Sequence, residues 1–234
     1  MKNSAGCTAP GKEMMKMENK RMIRRMGIWT CICGILSVIF YLLHDVIGAA
    51  NYPGYQWTRQ AVSDLTALDA PSFPIARALS GIHGIFTGIC CAFLCVMVTD
   101  MRKSLRIGVY LFTAMHGVSA IGYSLFPLSS SGYDGSVQSF MHVYVVTALV
   151  VLLSIVSLAM IAAGSFRDHR KALGICAAAA LGCMFFGAAG SNILPKEIFG
   201  IPERFSTYSA VVFTGILGVY GFGENRLAFL HVSD

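Results

Sequence analysis

The apolar residues of this chain fall into six stretches that contain no Asp, Glu, Lys or Arg: 26–44, 78–99, 107–133, 135–166, 172–195 and 205–223. Each holds 19 residues or more, and about 20 mostly apolar residues carry a helix across a hydrocarbon core. A helix on the surface of a soluble globule would interleave charges to keep one face wet. The pattern predicts an all-α membrane protein, a six-transmembrane-helix up-down bundle with spans at about 26–48, 77–99, 107–127, 138–164, 172–194 and 205–223. Residues 1–25 read as a basic, Met-rich tail that is disordered or interfacial. Residues 26–223 read as one transmembrane domain, and 224–234 as a second tail. The first outer loop, 49–75, is long, and long loops more often carry function. Within it Trp57, Ala61, Leu65 and Leu68 recur at helical spacing, which predicts a short amphipathic helix on the outer surface or folded back over the bundle. Pro71 and Pro74 would end it.

Composition agrees: 55% hydrophobic and 13% charged, against about 45–50% and about 25% in soluble domains. A soluble enzyme, a secreted disulfide scaffold, a nucleic-acid binder and a disordered chain are excluded. The net charge of +6 comes from 18 Lys and Arg, of which fourteen lie on one side of the predicted spans. Arg59, Arg77, Lys196 and Arg204 lie on the other. Short cytoplasmic loops hold the basic excess, so both termini are expected in the cytoplasm and the protein in the cell (plasma) membrane. The segment 12–25 would rest on anionic headgroups, making membrane lipids the expected partners. The first apolar run is longer than the roughly 7–15 residues of a signal-peptide core, so it is read as an uncleaved span. Seven of the eight cysteines fall inside predicted helices; they read as small packing residues, and no disulfide is expected.

Gly84 and Gly88, and the row Gly174, Ala178, Gly182 with Gly187–Gly190, predict close helix approach. On that basis the fifth helix is expected at the bundle centre. Ionisable side chains are costly in a membrane and turn inward, and here they collect in the outer halves of the spans: His44, Asp45, Arg77, His83, His142, Glu203 and Arg204. At 1.5 Å per residue, His116 is the deepest, about 16 Å from Pro127. Thr113, His116, Ser119 and Tyr123 form one stripe; Ser80, His83 and Thr87 form another; Arg204 and Tyr208 a third. Glu203 and Arg204 also fit a helix-start carboxylate and its ion-pair partner. No spacing places two metal ligands on one helix.

Gln60-Ala-Val-Ser63-Asp64-Leu65, Phe126-Pro127, His142 and Gly200-x-x-Glu203-Arg204 together are familiar. The chain resembles, over about 27–223, the prokaryotic membrane-protein family known as domain of unknown function 998. The resemblance implies about six spans and adds Ser63, Asp64, His142, Glu203 and Arg204 to the candidates; it carries no activity.

The leading expectation is a polar pocket open to the extracytoplasmic side that binds a lipid headgroup or small amphiphile. Arg204 would hold an anionic group, with Tyr208 and His142 as hydrogen-bond partners and Ser63 and Asp64 beside them. The alternative is an intramembrane lipid hydrolase or transferase, with His83, His116 or His142 as general base or metal ligand and Asp64 or Glu203 as the orienting or acid group. No cofactor is expected in the first reading; zinc or iron would serve only the second. A transporter ranks last, because the inner halves of the spans are nearly free of polar groups.

Overall fold

The structure is a computed structural model and describes residues 10–230. Its six long helices are α1 (Pro10–Ala50), α2 (Phe73–Met97), α3 (Lys103–Leu125), α4 (Val137–Arg167), α5 (Lys171–Ile193) and α6 (Gly200–Leu230). Among the described residues these six are long and apolar enough to cross a membrane, and there is no strand. The chain is a multi-pass membrane protein. Residues 10–25, read from composition as a disordered or interfacial tail, continue α1 as helix, and α6 runs past residue 223. Residues 1–9 and 231–234, with Cys7, lie outside the described residues.

The helices close a ring in the order α2, α1, α6, α5, α4, α3, and the return from α3 to α2 is its loosest seam. Half of the α6 span is buried, against 22–33% of each of the others. The central helix is therefore the sixth, not the fifth as the small residues suggested. The reason lies in which glycines meet a partner. A Cβ on Gly187 would stand 2.3 Å from the Ser206 nitrogen and 2.5 Å from the Pro202 carbonyl, so α5 admits α6 only because that position has no side chain. A Cβ on Gly84 or Gly88 would meet nothing within 4 Å, so that pair does not mark a helix contact. The half of the bundle away from the 51–72 segment, the inner half of the sequence reading, is an apolar core built on Leu94, Leu105, Phe112, Leu158, Phe213 and Leu217, each at most 3% exposed. Trp29, Ile32, Ile39, Ile85, Leu152 and Ile175 point outward, as a hydrocarbon surround requires.

The opposite end, expected from the sequence to be the outer one, is closed by the 51–72 segment. Only Val62–Thr66 is a 3-10 turn, and the remainder is turns and bends. The amphipathic helix expected from Trp57, Ala61, Leu65 and Leu68 does not form, because the carbonyls of Trp57 and Gln60 are taken by a side chain of α6. Val62 and Leu65 instead pack on Ala76 beside Tyr41 and Tyr55, while Ala67 and Ala70 pack on Leu128. The Leu68 N–H donates to the Leu128 carbonyl at 2.9 Å, tying this cap to the 126–136 loop.

Gly187→Ala should lower stability by about 1–3 kcal/mol, the usual cost of overpacking, whereas Gly84→Ala should stay within about 0.5 kcal/mol. Thermal unfolding of both variants in detergent checks the contrast.

Candidate functional site

Arg204 stands one turn into α6 and is 2% exposed. A guanidinium there is tolerable only if its five N–H groups all find acceptors. They do. Nε donates to Asp45 Oδ2 and Nη2 to Asp45 Oδ1, both at 2.9 Å, a two-pronged pair between α6 and α1. Nη2 also donates to the Tyr55 hydroxyl at 2.8 Å, which passes its own proton to the Ala61 carbonyl at 2.8 Å. Nη1 is left for the carbonyls of Trp57, Gln60 and Gly200 at 2.8, 3.0 and 3.0 Å. The Trp57 ring covers the guanidinium at 4.5 Å. The Tyr208 hydroxyl donates to Asp45 Oδ2 from one turn further along α6. Burial raises the Tyr55 phenol above its ordinary range.

This arrangement changes two expectations. The carboxylate partner of Arg204 is Asp45, not Glu203, and Arg204 keeps no donor for an external anion. Its contacts run to the cap instead. The cap's close approach explains the glycine of the Gly200-x-x-Glu203-Arg204 motif: a Cβ there would lie 2.3 Å from the Trp57 carbonyl and 2.5 Å from that of Gln60. Its N–H also donates to the Thr58 carbonyl at 2.8 Å.

Asp64 does for the two outer loops what Arg204 does for the cap and α6. Oδ2 accepts from the Ala61 N–H at 3.0 Å and Oδ1 from the Gly132 N–H at 2.9 Å. Burial raises its carboxyl above the usual value, and these two N–H groups pull it partway back. The Gln60 side chain adds a 3.0 Å bond to Ser131. Ser63 lends only its carbonyl, to Thr66. Asp64 and Ser63 thus belong to the frame of the cap.

Beneath the cap lie the other candidates. His83 Nδ1 is 2.9 Å from the Ser37 carbonyl, which can only accept, so the ring N–H sits on Nδ1. His142 Nδ1 donates to the Phe126 carbonyl at 2.7 Å, at the start of the π-helical turn Met141–Val146. The Tyr123 hydroxyl bonds to Thr147, whose own proton goes to the His142 carbonyl. His116 Nε2 bonds to Thr214 at 3.0 Å. Glu203 accepts from the Val62 N–H at 3.3 Å and from Thr207 at 3.2 Å. The Tyr41 ring meets the rings of His44, His83 and Tyr208 at 5.4, 4.9 and 6.0 Å. His44 is 3% exposed, and neither of its ring nitrogens has a hydrogen-bond partner. Tyr41, His116, Tyr123 and Glu203 are half-buried.

The hydrolase reading finds less support. Among the described residues no three His, Cys, Asp or Glu side chains gather as a metal ion would require. The serine hydroxyl that lies, among the described residues, within hydrogen-bond reach of a histidine is that of Ser37, 3.3 Å from His83 Nδ1. Two apolar cavities, one near Met97 and Tyr220 and one along Ile35, Val212 and Val219, are lined by no member of the outer cluster. Arg77 stays exposed over Phe73. Tyr55 and Tyr41 were missing from the sequence-derived site, and Asp45, named among the ionisable residues, was given no role in it. Asp45 had a signal, since a buried Arg in one span calls for a carboxylate in another. Tyr55 had none.

The family model described as Protein of unknown function (DUF998) matches residues 35–220. No curated protein and no solved structure matches the chain.

Gly200→Ala should force Trp57 and Gln60 off α6 and loosen the cap. Amide exchange at residues 60–65 in the full chain should quicken about tenfold or more, the factor equivalent to about 1.4 kcal/mol, with exchange in α4 unchanged.

Proposed function

The chain belongs to the DUF998 family of proteins of unknown function, and from that starting point we propose that it receives the head group of a lipid or other small amphiphile in a polar hollow facing the outer side of the membrane. The observation that carries this reading is the group Tyr41, His83, Tyr123 and Glu203. They are half-buried polar side chains drawn from four spans, with hydrogen-bonding capacity unspent and the rings of Tyr41 and His83 4.9 Å apart. Hydrocarbon offers such groups nothing, so a cluster of them invites a polar ligand. His142 and Tyr208 stand at the edge of the group, and Arg204, Asp64 and Ser63 build its roof. The apolar core of the inner half supports access from one side and argues against a through-going path.

The basic loops favour cytoplasmic termini, and the family resemblance favours the cell membrane of a prokaryote. Six spans place both ends on one face, and Lys103 and Arg167 flank helix ends on that same face. The topology is tested by labelling single cysteines with an impermeant maleimide. Ser131→Cys should react in intact cells and Lys103→Cys only after permeabilisation; the reverse order would overturn the orientation. The binding reading is tested by native mass spectrometry of the protein released from its membrane. A defined amphiphile should remain bound at about one per chain and be lost from Tyr41→Ala. Retention of the bulk lipid mixture by both proteins would refute it.

A further inference from the structure

The donors and acceptors around the proposed hollow are strongly unequal, and the imbalance names the chemistry of its ligand. Arg204, the one buried cation of the outer cluster, has spent every N–H on Asp45, Tyr55 and the cap carbonyls. The ring proton of His83 is committed to the Ser37 carbonyl, which leaves Nε2 of the neutral imidazole as a bare acceptor. His44 adds two buried ring nitrogens without partners, one of which must accept. Glu203 receives one N–H and one hydroxyl on a carboxylate that has room for about four hydrogen bonds. What remains under the cap is a carboxylate and two imidazole nitrogens that accept, against two spare donors, the second ring nitrogen of His44 and the Tyr41 hydroxyl, with the Tyr41 ring against both imidazoles.

We infer that the hollow takes a primary ammonium group, with Glu203 as its counter-charge, His83 and His44 as hydrogen-bond acceptors and the tyrosine rings as its walls. Three N–H donors and one positive charge answer that inventory. A phosphate or carboxylate would find acceptors and a negative charge where it needs donors. Aromatic faces attract cations, most strongly where water is excluded. A trimethylammonium group would keep the charge but bring no N–H, so it should bind more weakly. The inference rests on the proposed function and names the class of ligand for that same hollow. An aminophospholipid headgroup and a free alkylamine share this chemistry.

The test uses the full chain in nanodiscs of phosphatidylglycerol doped with equal small amounts of phosphatidylethanolamine and phosphatidylcholine, with retained lipid read by native mass spectrometry. The wild-type protein should enrich phosphatidylethanolamine over phosphatidylglycerol about tenfold or more, with phosphatidylcholine between them, and Glu203→Gln should abolish most of that preference. Displacement of the retained lipid by millimolar ethanolamine would assign the site to a free amine, and resistance to it would assign the headgroup; both outcomes support the ammonium. Enrichment of phosphatidylglycerol, or an undiminished preference in a folded Glu203→Gln, overturns the ammonium and leaves the amphiphile reading standing. The headgroup preference of the wild-type protein decides the matter even if Glu203→Gln does not fold. If the wild-type protein retains no lipid above its bulk abundance and binds no ethanolamine, both readings fall.

Discussion

A guanidinium and a carboxylate held where water is scarce are the constraint around which the outer half of this protein is arranged. Removing either charge from water is expensive, and their mutual attraction offsets that only when the remaining hydrogen bonds are also made. Arg204 and Asp45 fill one another's needs along two prongs, yet the guanidinium still has N–H groups to place. Among the described residues no other carboxylate is hydrogen-bonded to it, so they go to backbone carbonyls of the 51–72 segment and to Tyr55. A segment with little helix of its own is thereby given a fixed shape. Its shape in turn covers the tyrosines and histidines below.

The motifs that look short and scattered along the chain are the parts of this one assembly. Gly200 lets the cap touch α6, Gln60 gives its carbonyl to Arg204 and its side chain to Ser131, and Asp64 joins the two outer loops. Phe126 contributes a carbonyl that orients His142, and Pro127 accepts from Gln138 at 2.7 Å. Glu203 receives the Val62 N–H of the first motif. Sequence segments more than a hundred residues apart are thus held within hydrogen-bonding distance. The residues left over beneath them are the ones whose bonding capacity is incomplete.

The spans were legible in the sequence because a charge-free run of that length has one physical use, and the outward bias of the polar residues was legible for the same reason. The pairing of Asp45 with Arg204 was not, although both residues stood out, because 159 positions separate them and nothing local says which helix neighbours which. Spacing read Trp57 to Leu68 as a helix, since periodicity cannot register that another element has claimed the carbonyls a helix needs. Gly84 and Gly187 are indistinguishable in composition and opposite in role, as only helix order decides which one faces a partner. The imbalance of donors and acceptors around Glu203 is invisible until each ring nitrogen has been assigned its partner.

The measurement that bears most directly on this account is a double-mutant cycle between Asp45→Asn and Arg204→Gln, followed by thermal unfolding in detergent. If the buried pair organises the outer half, each single variant should lose about 3–5 kcal/mol. The double variant should lose markedly less than their sum, with a coupling of about 0.5–3 kcal/mol or more. Strictly additive losses, or single variants as stable as the wild-type protein, would contradict it.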